Sequence, residues 1–398
     1  MARRKLRERR EELGYSQESL ARAIGAETTT VRRWESGSTS PQPLLRRRLA
    51  RELKVSPETL TELLADDEAK HTPSLESRTK GDGDMRRRTF LAGIPLLATA
   101  MTPNSLGSLE VEVSRLWSCY QDSRYQPIID RMPGLLSQLQ SQLLSGPTAD
   151  RRRCENALAF AYQLSATTLT KLGHRDPAMG ALDHGIAAAE RGENLIVASS
   201  IRRSKAHALL AFGLPSVAAE LVEETIRELA SAHVLESPNS VSILGTLHLV
   251  GAVAAAQEGD ARRALASLDA ADEAAARLGR DANCLWTAFG PSNVAIHRVV
   301  ADIELGRLRN AIDFAPSIDA RSLPSERQAR HAIEVARAHT MLGQIDEAAG
   351  ALLDAEAMAA EQVRNHRLSR QLVASWLEQP RHREAVSSLA ERMRIESD

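Results

Sequence analysis

Five polar residues crowd one short stretch of this chain: Thr28, Thr29, Thr30, Arg32 and Arg33. Their hydroxyls and guanidiniums are groups that hydrogen-bond base edges and phosphates. Val31 and Trp34, at i and i+3, are the apolar positions among them. A helix there buries those two and turns the polar set outward, and such a face suits a DNA major groove. Just upstream, Ser16 is a good N-cap for a helix that carries Leu20, Ala21 and Ile24 on one apolar face. Gly25 supplies the turn between the two helices, where positive φ costs least. The bland alternative is that the threonines merely tolerate a helix start and the arginines form a solvated face.

A second group with chemical potential runs from Trp286 to His297. Gly290-Pro291 should break or start a helix, which places Asn293 and His297 at i and i+4 on one face. An amide beside an imidazole can hold a peptide backbone or a small polar ligand, with Trp286 and Phe289 as an apolar wall. Against this stands a structural reading, in which Gly-Pro is a turn between repeats, the aromatics are core and Asn293 is a cap. No other constellation suggests chemistry. There is no HExxH, no phosphate loop, no GxSxG and no carboxylate pair at a telling spacing. Cys119, Cys154 and Cys284 are far apart and show no metal spacing, so a reducing compartment is the default, and Cys154 and Cys284 read as small buried thiols. The sequence therefore predicts no catalytic residues, no metal and no cofactor.

The elements around the first stretch are helical. Leu6 and Leu13 mark an amphipathic helix before it, and Leu44, Leu45, Leu49 and Leu53 mark one after it. Ser56-Pro57 is an N-cap and N1 pair that opens a last helix through Leu60, Leu63 and Leu64. Residues 1–64 hold 14 Lys+Arg and 9 Asp+Glu, a balance of +5, so the whole-chain −1 leaves −6 for the remainder. A basic end on a mildly acidic body is the asymmetry expected when one domain meets phosphate and the other does not.

This module resembles the Cro- and phage-repressor-like helix-turn-helix family, often called the XRE family. The likeness rests on Leu13-Gly14-Tyr15-Ser16-Gln17-Glu18-Ser19-Leu20-Ala21, on Trp34-Glu35-Ser36-Gly37 with Pro41, and on Leu53-Lys54-Val55-Ser56-Pro57. The resemblance implies that Gln17 touches a phosphate and that Thr28, Thr29 and Arg33 read base edges, with Arg32 beside them. The pattern departs at Ala26-Glu27, where the family commonly has a Ser or Thr cap.

Residues 65–84 are polar, carry Pro and Gly and have no apolar period, so they read as a flexible linker. Residues 85–103 contain Arg86-Arg87-Arg88-Thr89-Phe90-Leu91, which looks like a twin-arginine export signal. It lies behind the helical module, and the apolar run after it is broken by Pro95 and falls short of the ~20 residues that span a bilayer. The expectation is a join that packs on the second domain, in a cytoplasmic protein with no membrane partner.

From residue 104 to 398 the chain reads as helix after helix. Gly173, Gly213, Gly259, Gly306 and Gly343 recur at spacings of 40, 46, 47 and 37 residues, each followed by an alanine-rich stretch. Aromatics make up only 3% of the chain, so the core is built largely from Ala and Leu, which favours helix-on-helix packing. The pattern resembles a tetratricopeptide repeat array with lengthened units; the alternative is an irregular all-α domain. The predicted fold is thus all-α, a five-helix helix-turn-helix domain, a flexible linker and a TPR-like α-solenoid. The whole layout resembles a group of actinobacterial regulators of this build. It rests further on Ala288-Phe289-Gly290-Pro291-Ser292-Asn293-Val294 with His297, and on Leu323-Pro324-Ser325-Glu326-Arg327 through Val335-Ala336-Arg337-Ala338. Two functions follow as expectations. One is a sequence-specific transcription regulator on double-stranded DNA, a homodimer whose body senses a peptide or small molecule. The other is an interaction scaffold whose repeats recruit a partner to DNA.

Overall fold

In the computed structural model the described residues are 3–24, 28–35, 41, 43–55, 57–64, 105–378 and 383–395. They form two compact units, and among them no strand occurs beyond one isolated bridge. The expected linker, 65–84, and the join, 85–103, lie outside the described residues.

The first unit holds α1 (Arg4–Glu12), α2 (Gln17–Ile24), α3 (Thr28–Glu35), α4 (Pro43–Glu52) and α5 (Pro57–Leu64). Ser16 caps α2 as its position suggests: Ser19 N donates to Ser16 Oγ at 3.0 Å, and Ser16 N donates to Ser19 Oγ at 2.8 Å. Leu6, Leu20, Ile24, Val31, Trp34, Leu49, Leu53 and Leu60 are buried together. Each such side chain contributes about 1.5–3 kcal/mol. A domain this small has a modest core, so losing one of them is a large fraction of its stability.

The second unit begins with α6 (Leu106–Gln121) and α7 (Gln126–Ser145). Helical hairpins follow: α8 (Arg151–Lys171) with α9 (Arg175–Arg191), and α10 (Leu195–Ala211) with α11 (Pro215–Ser231). Next come α12 (Pro238–Gln257) with α13 (Ala261–Leu278), α14 (Pro291–Glu304) with α15 (Leu308–Phe314), and α16 (Ser325–Met341) with α17 (Ile345–Met358). The chain ends in α18 (Ala360–Asn365), α19 (Arg367–Leu377) and α20 (Arg383–Met393). The five recurring glycines sit in the turns inside these hairpins, all with φ between +73° and +83°. That conformation reverses the chain after each first helix and is nearly free of cost only for glycine. The body is a helical repeat built of hairpins, as the spacing predicts.

Packing inside the body is dominated by small residues, with Ala159, Ala161, Ala166, Ala188, Ala252, Ala254 and Ala274 among the buried set. Helix α12 is long and apolar enough to cross a membrane by length and composition. Its Ile243, Leu247 and Val250 instead pack with Leu209, Leu210 and Val222 of α10 and α11.

The first helices of the body also meet its last ones. Ser123 Oγ and Tyr125 Oη both donate to Gln362 Oε1, at 2.9 and 3.1 Å, and Tyr125 N donates to Glu361 Oε2 at 2.7 Å. Ser325 Oγ donates to the carbonyl of Gln121 at 3.2 Å. The array is therefore closed by polar contacts between residues more than 200 positions apart.

Candidate functional site

In the first unit, α3 divides its faces as its sequence requires. Val31 and Trp34 are 1% and 2% exposed, while Thr28 and Thr30 are half-buried and Arg32 is exposed. Helix α3 also contains Thr29 and Arg33, whose side chains lie outside the described residues, as does the turn 25–27 with its Ala26-Glu27 departure.

What fixes α3 against its neighbours is an ion pair that the sequence reading did not single out. Arg10 of α1 donates to Glu35 at the end of α3, from Nε to Oε1 at 2.5 Å and from Nη2 to Oε2 at 3.2 Å. Both residues are 5% exposed. Gln17 of α2 adds a third bond to the same carboxylate, Nε2 to Oε2 at 2.7 Å, and Arg10 Nη1 donates to the carbonyl of Tyr15 at 2.6 Å. The hydrogen bond to Glu35, against the opposing effect of burial, raises the pKa of Arg10. Desolvating two charges is repaid only by such complete pairing, so the network sets the angle between α2 and α3. Gln17, which the resemblance gives to a phosphate, has its amide donor engaged inside the domain. An Arg in the last turn of the first helix and a Glu directly after the buried Trp34 were the available signal.

In the body, the four residues grouped around Gly290-Pro291 divide into two pairs. Trp286 stacks on Trp117 of α6, with centroids 4.9 Å apart and planes 6° from parallel, and meets Phe160 of α8 edge-on at 5.1 Å. Phe289 is fully buried against Gly245 of α12, and its carbonyl accepts from Ala282 N at 2.9 Å. Both aromatics are packing residues in this structure. The loop that delivers them holds Leu285, Trp286 and Ala288 at φ of 48°, 56° and 48°, a region strained for residues with a Cβ.

Asn293 and His297 stay together on α14. Pro291 opens the helix, and Asp281 caps it by accepting from Ser292 N at 3.1 Å and Ser292 Oγ at 2.7 Å. Asn293 is therefore not the cap. It is 1% exposed, and neither Oδ1 nor Nδ2 has a hydrogen-bond partner. His297 is 9% exposed and its Nδ1 lies 2.9 Å from the carbonyl of Asn293.

Charged side chains from three other helices gather near this face. Burial first, then Arg327, Arg330 and Arg203, pushes His297 down to about 3. His207 of α10 opens to solvent, yet it is held well below its ordinary value by desolvation within the helical shell and by Arg327 and Arg203. Lys171 of α8 pairs with Glu326 of α16 at 2.5 Å. Burial acts to raise the Glu326 carboxyl, but Lys171, Arg327 and Arg330 hold it at about 2. Gln163 of α8 donates to Ser200 and Ser204 of α10, at 3.0 and 2.8 Å, and leaves its Oε1 without a partner. A polar, largely cationic interior of this kind is costly in an all-helical core, and the Asn293–His297 spacing marked only one edge of it.

The cysteines are free, with Cys119 and Cys154 buried and Cys284 half-buried. Burial pushes the Cys154 thiol up to about 11, which disfavours the reactive thiolate.

No curated protein matches the chain. The structure is similar to that of Bacillus thuringiensis PlcR in complex with the peptide PapR7 and DNA, at 14% identity over 79% of this chain and 92% of that chain. The TM-score is 0.36, too loose a likeness to carry an argument. Residues 6–74, which span the Arg10–Glu35 pair and the outward face of α3, match the helix-turn-helix family.

Proposed function

We propose that the protein is a sequence-specific DNA-binding transcriptional regulator with the domains expected above: a head over 1–64, a linker over 65–84, a join over 85–103 and a helical body over 104–398. The observation that carries this reading is α3, which buries Val31 and Trp34, exposes Arg32 and leaves Thr28 and Thr30 half-buried, within a segment that matches the helix-turn-helix family. Thr29 and Arg33 complete the reading surface, and Gln17 supports it at the start of α2. One such head contacts one half-site, and heads of this build work in pairs about one helical turn apart, ~10 bp centre to centre. The body supplies the homodimer contact and takes an effector, a short peptide or small molecule held at Asn293 and His297, without catalysis. The protein acts in the cytoplasm, at the nucleoid.

Selection of a preferred duplex with the full chain tests this. Arg33→Ala should cost ~1–3 kcal/mol on that site and relax preference at one base pair. Gln17→Ala should weaken binding without changing the preferred sequence. Parent-like binding by both variants would show that α3 is not the reading helix.

A further inference from the structure

The interior of the body carries more positive charge than its nearby carboxylates balance. Lys171 is matched by Glu326 at 2.5 Å, and Glu334 is shared by Arg330 at 2.5 Å and Arg337 at 2.8 Å. Arg203 and Arg327 remain. Among the described residues Arg203 makes no ion pair; its Nη2 donates to Ser204 Oγ at 3.3 Å, and its Nε has no acceptor. Arg327 approaches Glu326 only at 3.9 Å, beyond hydrogen-bond distance, and its Nε likewise has no acceptor. These two guanidiniums are close enough to repel: burial, then Arg327, brings Arg203 down to about 10. Both side chains are half-buried; Arg203 has no carboxylate of its own and Arg327 shares Glu326 with Lys171 and Arg330. Cations drawn out of water with too little counter-charge are expensive, and a ligand anion supplies what is missing.

A second, independent feature points to the same place. Asn293 has both an unpaired donor and an unpaired acceptor while 1% exposed. It lies one turn from His297, whose ring feels the positive charge of Arg327 and Arg203. Because His297 Nδ1 faces a carbonyl, it carries the proton, and Nε2 of the neutral ring is an acceptor. The face therefore offers two guanidinium forks and an amide N–H to an oxyanion, with an imidazole nitrogen for an adjacent ligand N–H or O–H.

We propose that Arg203 and Arg327, with Asn293, form an oxyanion site that holds the carboxylate or phosphate of a small ligand inside the body. The inference rests on the effector reading above and adds the chemistry of what is held. Guanidinium forks suit both anions because each presents two oxygens at matching spacing.

The test is thermal melting of the full chain at constant ionic strength, with inorganic phosphate or malate replacing chloride. A ligand at about 100 times its Kd should raise the Tm by about 5 °C. A rise with phosphate alone assigns a phosphate ligand, and a rise with malate alone assigns a carboxylate. Arg203→Gln and Arg327→Gln should each abolish the rise; Arg203→Gln, which removes a repulsive charge and breaks no ion pair, should melt in chloride no lower than the parent. The proposal fails if neither anion moves the parent. It also fails if the variants keep the shift, which would place the anion elsewhere, or if both melt lower in chloride, which would make the arginines structural. DNA binding measured on the same proteins separates the two readings. Loss of DNA binding by the parent sinks the regulator and leaves the anion site standing, whereas intact DNA binding with no anion response does the reverse.

Discussion

Gln121 and Asn283 exchange a reciprocal pair of amide hydrogen bonds, Gln121 Nε2 to Asn283 Oδ1 and Asn283 Nδ2 to Gln121 Oε1, each 2.8 Å, across 162 residues of chain. Asn283 Oδ1 also accepts from Ala288 N at 3.2 Å, and Gln121 Nε2 reaches the carbonyl of Trp286 at 3.4 Å. The pair thus holds the strained loop 283–288 against the end of α6 and keeps Trp286 stacked on Trp117. Asn283→Ala strands Oε1 of the buried Gln121 and should cost about 1–3 kcal/mol, whereas Gln121→Ala frees only Nδ2 of the exposed Asn283 to water and should cost about 0.5–1.5 kcal/mol. The double variant should cost clearly less than the sum, which urea unfolding of all four proteins would measure. Additive losses would show that the two amides do not act together.

Gly245 and Phe289 give a sharper packing prediction. A Cβ at Gly245 would lie 1.9 Å from Phe289 Cζ, a distance no relaxation of a rigid ring can absorb locally. Gly245→Ala should destabilise the body by about 1–3 kcal/mol through overpacking, although alanine favours a helix over glycine. Adding Phe289→Leu should recover part of that loss, read as a rise in Tm over Gly245→Ala alone.

Arg10 and Glu35 carry the head in the same way. Arg10→Met should destabilise it by about 3–5 kcal/mol, because Glu35 is left buried and uncompensated. Arg10→Met with Glu35→Leu should return most of that stability in a melt of the full chain. DNA affinity of the double variant would then report whether the angle between α2 and α3 survives without the ion pair.

Stability of the body should fall with acid earlier than carboxylates alone would dictate. His297 is lowered from 6.5 to about 3, and His207 and His366 are lowered well below 6.5. Between about pH 3 and 6.5 the unfolded chain therefore binds protons that the folded body excludes. Stability from these rings is complete above about 6.5 and is lost as pH falls from there. Glu326, lowered from 4.5 to about 2, adds a second loss only below about 4.5. Tm should drop between pH 7 and pH 5, and His297→Asn should flatten that slope. A flat parent profile over this range would mean that these histidines are not held neutral.

Helix positions and the head's apolar core were legible in the sequence because both follow from local rules. Leu20, Ile24, Val31 and Trp34 fall at helical spacing, and the recurring glycines from Gly173 to Gly343 mark turns that need a left-handed residue. These are contacts within one helix or one hairpin, so nearest neighbours in the chain are nearest neighbours in space.

Only the tertiary structure decided which polar residues share an environment. Spacing grouped Trp286 and Phe289 with Asn293 and His297, but the closed body pulls the two aromatics to Trp117 and Gly245, and leaves the imidazole in the field of Arg327 and Arg203. The Arg10–Glu35 pair and the Lys171–Glu326 pair join positions 25 and 155 residues apart. Charge on a helical stretch looks the same in sequence whether it faces water or the interior. The physical difference is desolvation, and desolvation is a property of the packed helices rather than of any one of them.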